Sequence, residues 1–126
     1  MSDLLFVYGA LRKEASNGWR MKEAPWLGLA TVPGTLVKVD WYPGLVLGGA
    51  RTAIGEVYQV SPDLLQELDE FEGIGVEVRT GEYHRVKAKV SLGGESIAVW
   101  IYEWLKGVED YQIVETGDWL TVDGHE

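Results

Sequence analysis

Cysteine is absent from the 126 residues, and histidine occurs only at His84 and His125. The first absence excludes a disulfide, a thiolate metal site and a cysteine nucleophile. The second leaves too few imidazoles for a histidine-rich site, so no metal is expected. Positive charge is also scarce: 11 Lys and Arg against 20 Asp and Glu give a formal net charge of −9. A surface of that sign repels phosphate backbones and anionic headgroups, which argues against nucleic acid and membrane as partners. No run approaches the ~20 consecutive apolar residues of a membrane span, and the N-terminus has neither a basic leader nor an apolar stretch of signal-peptide length. The expected compartment is the cytoplasm. Linkers, internal repeats and low-complexity segments are missing as well, so residues 1–126 are expected to form a single domain. Charged residues make up 25% and hydrophobic residues 46% of the chain. That is the balance of an ordinary globular domain long enough to build a core without staples.

The most informative stretch is Leu4 to Arg12, LLFVYGALR. Leu4 to Tyr8 is a short block of strand formers closed by glycine, which reads as a buried strand rather than a helix. Gly9 lets the chain turn where a Cβ would clash, or lets a ligand approach the backbone. The N–H groups that follow have no evident ladder partner. A row of such donors at a strand end suits a carboxylate or the oxygen of a polarised carbonyl. A tight turn leaving a core strand explains the same residues, and Tyr-Gly alone does not separate the two readings.

Downstream, Lys13 to Pro25 is polar and broken, and Leu27 to Val39 reads as a strand interrupted at Pro33-Gly34, which cannot sit mid-ladder. Asp40 to Gly44 is a turn, Leu45 to Leu47 a short strand, and Gly48-Gly49 a second turn. Thr52 to Val60 alternates as a strand with one wet face. A helix follows. Ser61 suits the N-cap, Pro62 the first helical position and Asp63 the positive end of the dipole, while Leu64, Leu65, Leu68 and Phe71 recur at helical spacing until Gly73. Tyr83 to Val90 and Ser96 to Trp104 alternate as strands joined at Gly93-Gly94. In the tail, Tyr111, Ile113, Trp119 and Leu120 are candidates to pack over the sheet. The sum is an α+β fold, a small mixed β-barrel of about six strands flanked by one or two helices.

With no cysteine and little histidine, proton transfer falls to carboxylates and tyrosines. Glu67, Asp69, Glu70 and Glu72 crowd the end of the helix. A solvated acidic face is the usual meaning of such a run, and it fits Glu67, Asp69 and Glu70. Glu72 follows the apolar Phe71 and precedes the stop at Gly73, at the negative end of the helix dipole. There its neutral form is favoured, the condition under which a carboxyl can shuttle a proton. Gly73, Gly75 and Gly81 make no dinucleotide fingerprint, because no strand feeds them and no helix follows. The serines lie in turns or hairpins and lack a nucleophile-elbow context. Six tryptophans are better read as core or interface filling than as a sugar-stacking surface.

FVYGALR at Phe6 to Arg12, YPGLVLGG at Tyr42 to Gly49, GEVYQV at Gly55 to Val60, LDEFEG at Leu68 to Gly73 and YHRVKAKV at Tyr83 to Val90 stand in the order and spacing of a known family. The chain resembles the γ-glutamylcyclotransferase-like family over nearly its full length, most closely its γ-glutamylamine cyclotransferase and AIG2-like branches. GDW at Gly117 to Trp119 resembles a tail motif of bacterial members. The resemblance implies a small β-barrel flanked by helices. It also implies a cyclisation that needs no metal or organic cofactor, in which a γ-glutamyl amine or amino acid yields 5-oxoproline and the freed amine. Glu72 would be the catalytic acid/base. The turn formed by Tyr8, Gly9, Ala10 and Leu11 would hold the substrate through backbone N–H groups. Tyr83 and Arg85 match the family's Tyr-x-Arg strand near the pocket, and Tyr102 an aromatic position on the next strand. Two departures stand out: Ala10 replaces the usual Thr or Ser, and Gly73 to Gly81 is a longer connection than is typical. The alternative is a non-catalytic barrel that binds an acidic small metabolite or a protein partner.

Overall fold

Alternation along the first strand sorts its side chains into two cores: Leu5 and Val7 pack on one side, Phe6 and Tyr8 on the other. The computed structural model that shows this describes residues 3–9, 11–12, 21–39, 42–71 and 83–122. Its elements are β1 (Asp3–Val7), β2 (Trp26–Lys38), β3 (Pro43–Val60), α1 (Pro62–Phe71), β4 (Tyr83–Leu92), β5 (Glu95–Trp104) and β6 (Gln112–Ile113), followed by a 3₁₀ turn at Trp119–Thr121.

The strands lie in the order β3-β1-β5-β4-β2-β6, and β2 also pairs with β3, which closes a ring and leaves β6 on β2. β1 runs antiparallel to β3, with Val7 opposite Glu56, and parallel to β5 through Leu5 and Trp100. The expected α+β mixed barrel takes this form. Phe6, Val32, Leu36, Leu45, Val57, Ile101 and Trp119 fill its interior. Outside, Leu65 and Leu68 of α1 cover Leu5, Val7, Tyr58 and Val60. β1 is therefore buried on both faces, which is why its sequence is a continuous apolar run instead of an alternating one.

The same covering corrects the reading of residues 52–60 as a strand with one wet face. Val57 faces the interior, while on the opposite face Tyr58 and Val60 are buried under Leu65 and Leu68 of α1 and Glu56 is enclosed with Arg12. Nor are residues 45–47 a separate strand. β3 is continuous from Pro43, and its pairing with β2 jumps from Leu47–Gly34 to Thr52–Pro33, so Gly48 and Gly49 lie in a bulge within one strand. That jump falls at Pro33-Gly34, where the break in the ladder was expected. The β4–β5 hairpin turns at Gly93-Gly94 as anticipated, both at positive φ. β6 is only two residues long, too short for any periodicity to announce it.

α1 starts where its sequence says. Ser61 Oγ accepts a hydrogen bond from the Leu64 amide at 3.1 Å, and Ser61 O accepts from the Leu65 amide at 2.9 Å. Ser61→Ala is expected to lower stability by about 1 kcal/mol without changing the denaturant m-value. Urea unfolding followed by tryptophan fluorescence checks this.

Candidate active site

β1 delivers the chain at Tyr8 into a turn that is buried despite being a loop: Tyr8, Leu11 and Arg12 are all in the buried class. The Arg12 amide donates to Gly9 O at 3.0 Å and closes it. A Cβ on Gly9 would stand 2.5 Å from Pro43 Cγ, so only glycine lets the turn lie against the start of β3. Two hydroxyls fix the surroundings. Tyr8 Oη donates to Tyr102 O at 2.5 Å, and Tyr83 Oη donates to Pro43 O at 2.6 Å. Tyr83 thus holds the residue that backs Gly9.

Arg85 and Tyr102 converge on a carboxylate from the helix. Tyr102 Oη donates to Asp69 Oδ1 at 2.7 Å, Arg85 Nη2 donates to Asp69 Oδ2 at 3.1 Å, and Arg85 Nε lies 2.8 Å from Asp69 Oδ1. The Arg85 guanidinium also stacks 4.3 Å from the centroid of Trp100, with Lys87 Nζ 4.6 Å from the same ring. Asp69 is therefore not on the solvated face where the charge run placed it. It follows Leu65 by four residues and so sits over the covered flank. The chain of contacts Asp69–Tyr102–Tyr8 joins the last turn of α1 to the entrance of the Tyr8–Arg12 turn. Of the sequence-derived site residues, Tyr8, Gly9, Leu11, Tyr83, Arg85 and Tyr102 gather in this region; Glu72, Ala10 and the Gly73 to Gly81 connection lie outside the described residues.

Below the turn is a charge cluster that the sequence reading passed over. Arg12 Nε donates to Glu56 Oε2 at 3.0 Å and Arg12 Nη1 to Asp118 Oδ1 at 2.5 Å; Arg12 and Glu56 are each only 3% exposed. Tyr58 shares the cluster. Burial, then the neighbouring Glu56 charge and a hydrogen bond to that carboxylate, push its phenol up to about 12, with the Arg12 charge opposing. The signal was present: Glu56 is the lone carboxylate on the face that carries Ile54, Tyr58 and Val60. Such a residue is seldom buried without a partner.

A separate open cleft of about 420 Å³ includes Glu23, Gln59, Asp63 and Glu67, and among the described residues none of the Tyr8–Arg12 turn lines it. Among the described residues, no group of three His, Asp or Glu is arranged to hold a metal ion, and no helix is long and apolar enough to cross a membrane.

The family model for gamma-glutamyl cyclotransferase, AIG2-like, matches residues 5–121. The chain belongs to this family. It is 34% identical over 120 residues to the gamma-glutamylcyclotransferase family protein YtfP of Escherichia coli, covering 94% of this chain and 97% of that protein. It is 36% identical over 118 residues to the gamma-L-glutamyl-butirosin B gamma-glutamyl cyclotransferase of Niallia circulans, covering 91% of this chain and 74% of that one. The solution structure of Escherichia coli ytfP superposes with a TM-score of 0.65 at 32% identity, over 93% of this chain and 96% of the other. Membership in the AIG2-like gamma-glutamyl cyclotransferases supports an enzyme of that kind acting on a small γ-glutamyl molecule.

For this family member the buried phenol makes an alkaline prediction. A folded-state value near 12 against about 10 unfolded favours the neutral phenol in the native protein. The contribution is complete below pH 10, amounts to about 3 kcal/mol, and is lost as pH rises through 12. Tyr58→Phe is expected to flatten the fall of stability across that window. Denaturant melts at a series of alkaline pH values test it, and equal slopes for the two proteins would refute it.

Proposed function

We propose that the protein cyclises a γ-glutamyl group to 5-oxoproline and releases the attached amine or amino acid, with Glu72 as acid/base. The observation that carries this reading is the Asp69–Tyr102–Tyr8 chain of contacts. Asp69 precedes Glu72 by three residues in the sequence, and these contacts tie the last turn of α1, which carries Asp69, to Tyr8 at the start of the turn with the proposed anion donors. The butirosin relative, named for a gamma-L-glutamyl substrate, supports the same substrate class.

In this scheme the substrate's α-amino nitrogen attacks its own γ-carbonyl carbon, and a C–N bond forms as the carbonyl oxygen takes up the electron pair. Delivery within one molecule is worth about 7–11 kcal/mol of the barrier when the chain is folded over correctly. Backbone donors of Gly9, Ala10 and Leu11 hold the developing oxyanion or the substrate carboxylate. Glu72 takes a proton from the attacking nitrogen and passes it to the leaving nitrogen as the original C–N bond breaks, a role worth roughly a hundred- to ten-thousandfold. Every step is a proton transfer or an acyl exchange, so the balance closes without oxidant or reductant. Tyr83, Arg85 and Tyr102 shape the rim, the last two while anchored to Asp69. Ala10 stands where the family usually has Thr or Ser, and the scheme draws on backbone donors, which need no side-chain hydroxyl.

The test is a panel of γ-glutamyl amines and dipeptides assayed by mass spectrometry for 5-oxoproline. The parent protein is expected to convert at least one, and Glu72→Gln is expected to melt within a few degrees of the parent while losing at least about a hundredfold in rate. Full activity in Glu72→Gln would remove that residue from the mechanism, and intact recovery of every ligand would favour a binding role.

A further inference from the structure

The GDW tail motif has no part in the reaction just proposed, yet its middle residue reaches the substrate turn. Gly117 lies flat against β3: its φ is +70°, a Cβ there would meet Thr52 O at 2.0 Å, and Ile54 donates its amide to Gly117 O at 2.8 Å. Only glycine fits so close an approach in the left-handed region. Trp119 is fully buried in the barrel interior. Between these two anchors Asp118 is held with little freedom. Its Oδ1 accepts from the Leu120 amide at 3.0 Å, capping the 3₁₀ turn, and from Arg12 Nη1.

Arg12 is the far end of the turn that begins at Tyr8. Its guanidinium is gripped from two directions, by Glu56 on β3 and by Asp118 on the tail, and its own amide closes the turn on Gly9 O. A planar fork satisfied by two carboxylates on different segments has one orientation, whereas a lysine ammonium at this position would engage them only as a point charge. The other end of the turn is set by the Tyr8 hydroxyl on Tyr102 O. Both ends of the turn are thus fixed by side chains, and one of those fixings comes from the C-terminal tail.

We infer that Asp118 and Arg12 are positioning residues for the substrate turn: the tail, through the Asp118–Arg12 ion pair, holds the turn's backbone donors in place. The inference goes beyond the proposed cyclisation and rests on it for its kinetic consequence. Asp118 is 26% exposed on its side chain while Arg12 and Glu56 are almost completely enclosed, so Asp118 is the member of the cluster that can be altered without stranding a charge deep in the core.

Asp118→Asn and Asp118→Ser both retain an oxygen able to cap the Leu120 amide and both remove the charge that grips Arg12. Amide hydrogen exchange resolved at Arg12 is the direct readout. In either variant the Arg12 amide is expected to exchange about tenfold faster while the β1 amides keep the parent rate, since a charge-assisted bond is roughly twice as strong as a neutral one. With a γ-glutamyl substrate, KM is expected to rise about tenfold with kcat changed by no more than about threefold, and Arg12→Lys combined with Asp118→Asn to be no worse than the poorer single variant. A merely structural staple would lower the melting temperature and leave KM unmoved. An Arg12 amide that exchanges at the parent rate in a folded variant overturns the inference, as does faster exchange with an unchanged KM. If the parent forms no 5-oxoproline, the proposed reaction fails while the exchange measurement still decides whether the tail holds the turn.

Discussion

A single guanidinium buried between two carboxylates organises the end of the barrel where the first turn, the third strand and the tail meet. Arg12 cannot lose its charge, so its enclosure obliges the fold to bring Glu56 and Asp118 to it and to satisfy its donors there. An unpartnered charge in that position would cost several kcal/mol, which makes the convergence of the first turn, the third strand and the tail a matter of necessity. The Tyr58 phenol completes the cluster by donating to Glu56, and its resistance to ionisation reflects the same enclosure and the same negative charge. Because Arg12 is also the last residue of the turn after β1, and its amide closes that turn on Gly9 O, whatever fixes its side chain bears on the turn's backbone.

A third carboxylate does comparable work from the helix. α1 covers the outer face of β1 and β3 with Leu65 and Leu68, and Asp69 on that flank is taken up by Arg85 and Tyr102. The helix therefore docks by an apolar stripe and registers by a polar one. Apolar contact alone would tolerate sliding, whereas a hydroxyl and a guanidinium on one carboxylate do not. Tyr102 links the two regions, since its hydroxyl serves Asp69 and its carbonyl serves Tyr8.

Much of this was legible in the residues. The Ser61-Pro62 start of the helix, the Gly93-Gly94 hairpin and the break at Pro33-Gly34 follow from local rules and were found where those rules put them. The family was legible from motifs in register, and the matched span of residues 5–121 bears that out. What escaped was burial imposed from outside a strand. Alternation at residues 52–60 predicts a wet face, and the acidic run predicts a solvated Asp69, because a local pattern does not say what lies on top of it. Glu56, Asp69 and Asp118 are charged residues whose partners are 44, 16 and 106 positions away in the chain, and no periodicity carries that information. Gly48-Gly49 reads as a turn in the sequence for a related reason: two glycines announce a departure from the ladder, and the β2 partner decides whether the strand resumes.

The central claim is that a γ-glutamyl group binds where the Tyr8–Arg12 turn meets the end of α1. A crystal structure of Glu72→Gln soaked with an unreacted γ-glutamyl amine tests it most directly. The account predicts a substrate oxygen within about 3 Å of the backbone amides that follow Tyr8, beside Tyr102. Substrate seated instead in the acidic cleft of Glu23, Asp63 and Glu67, with the turn empty, would contradict it.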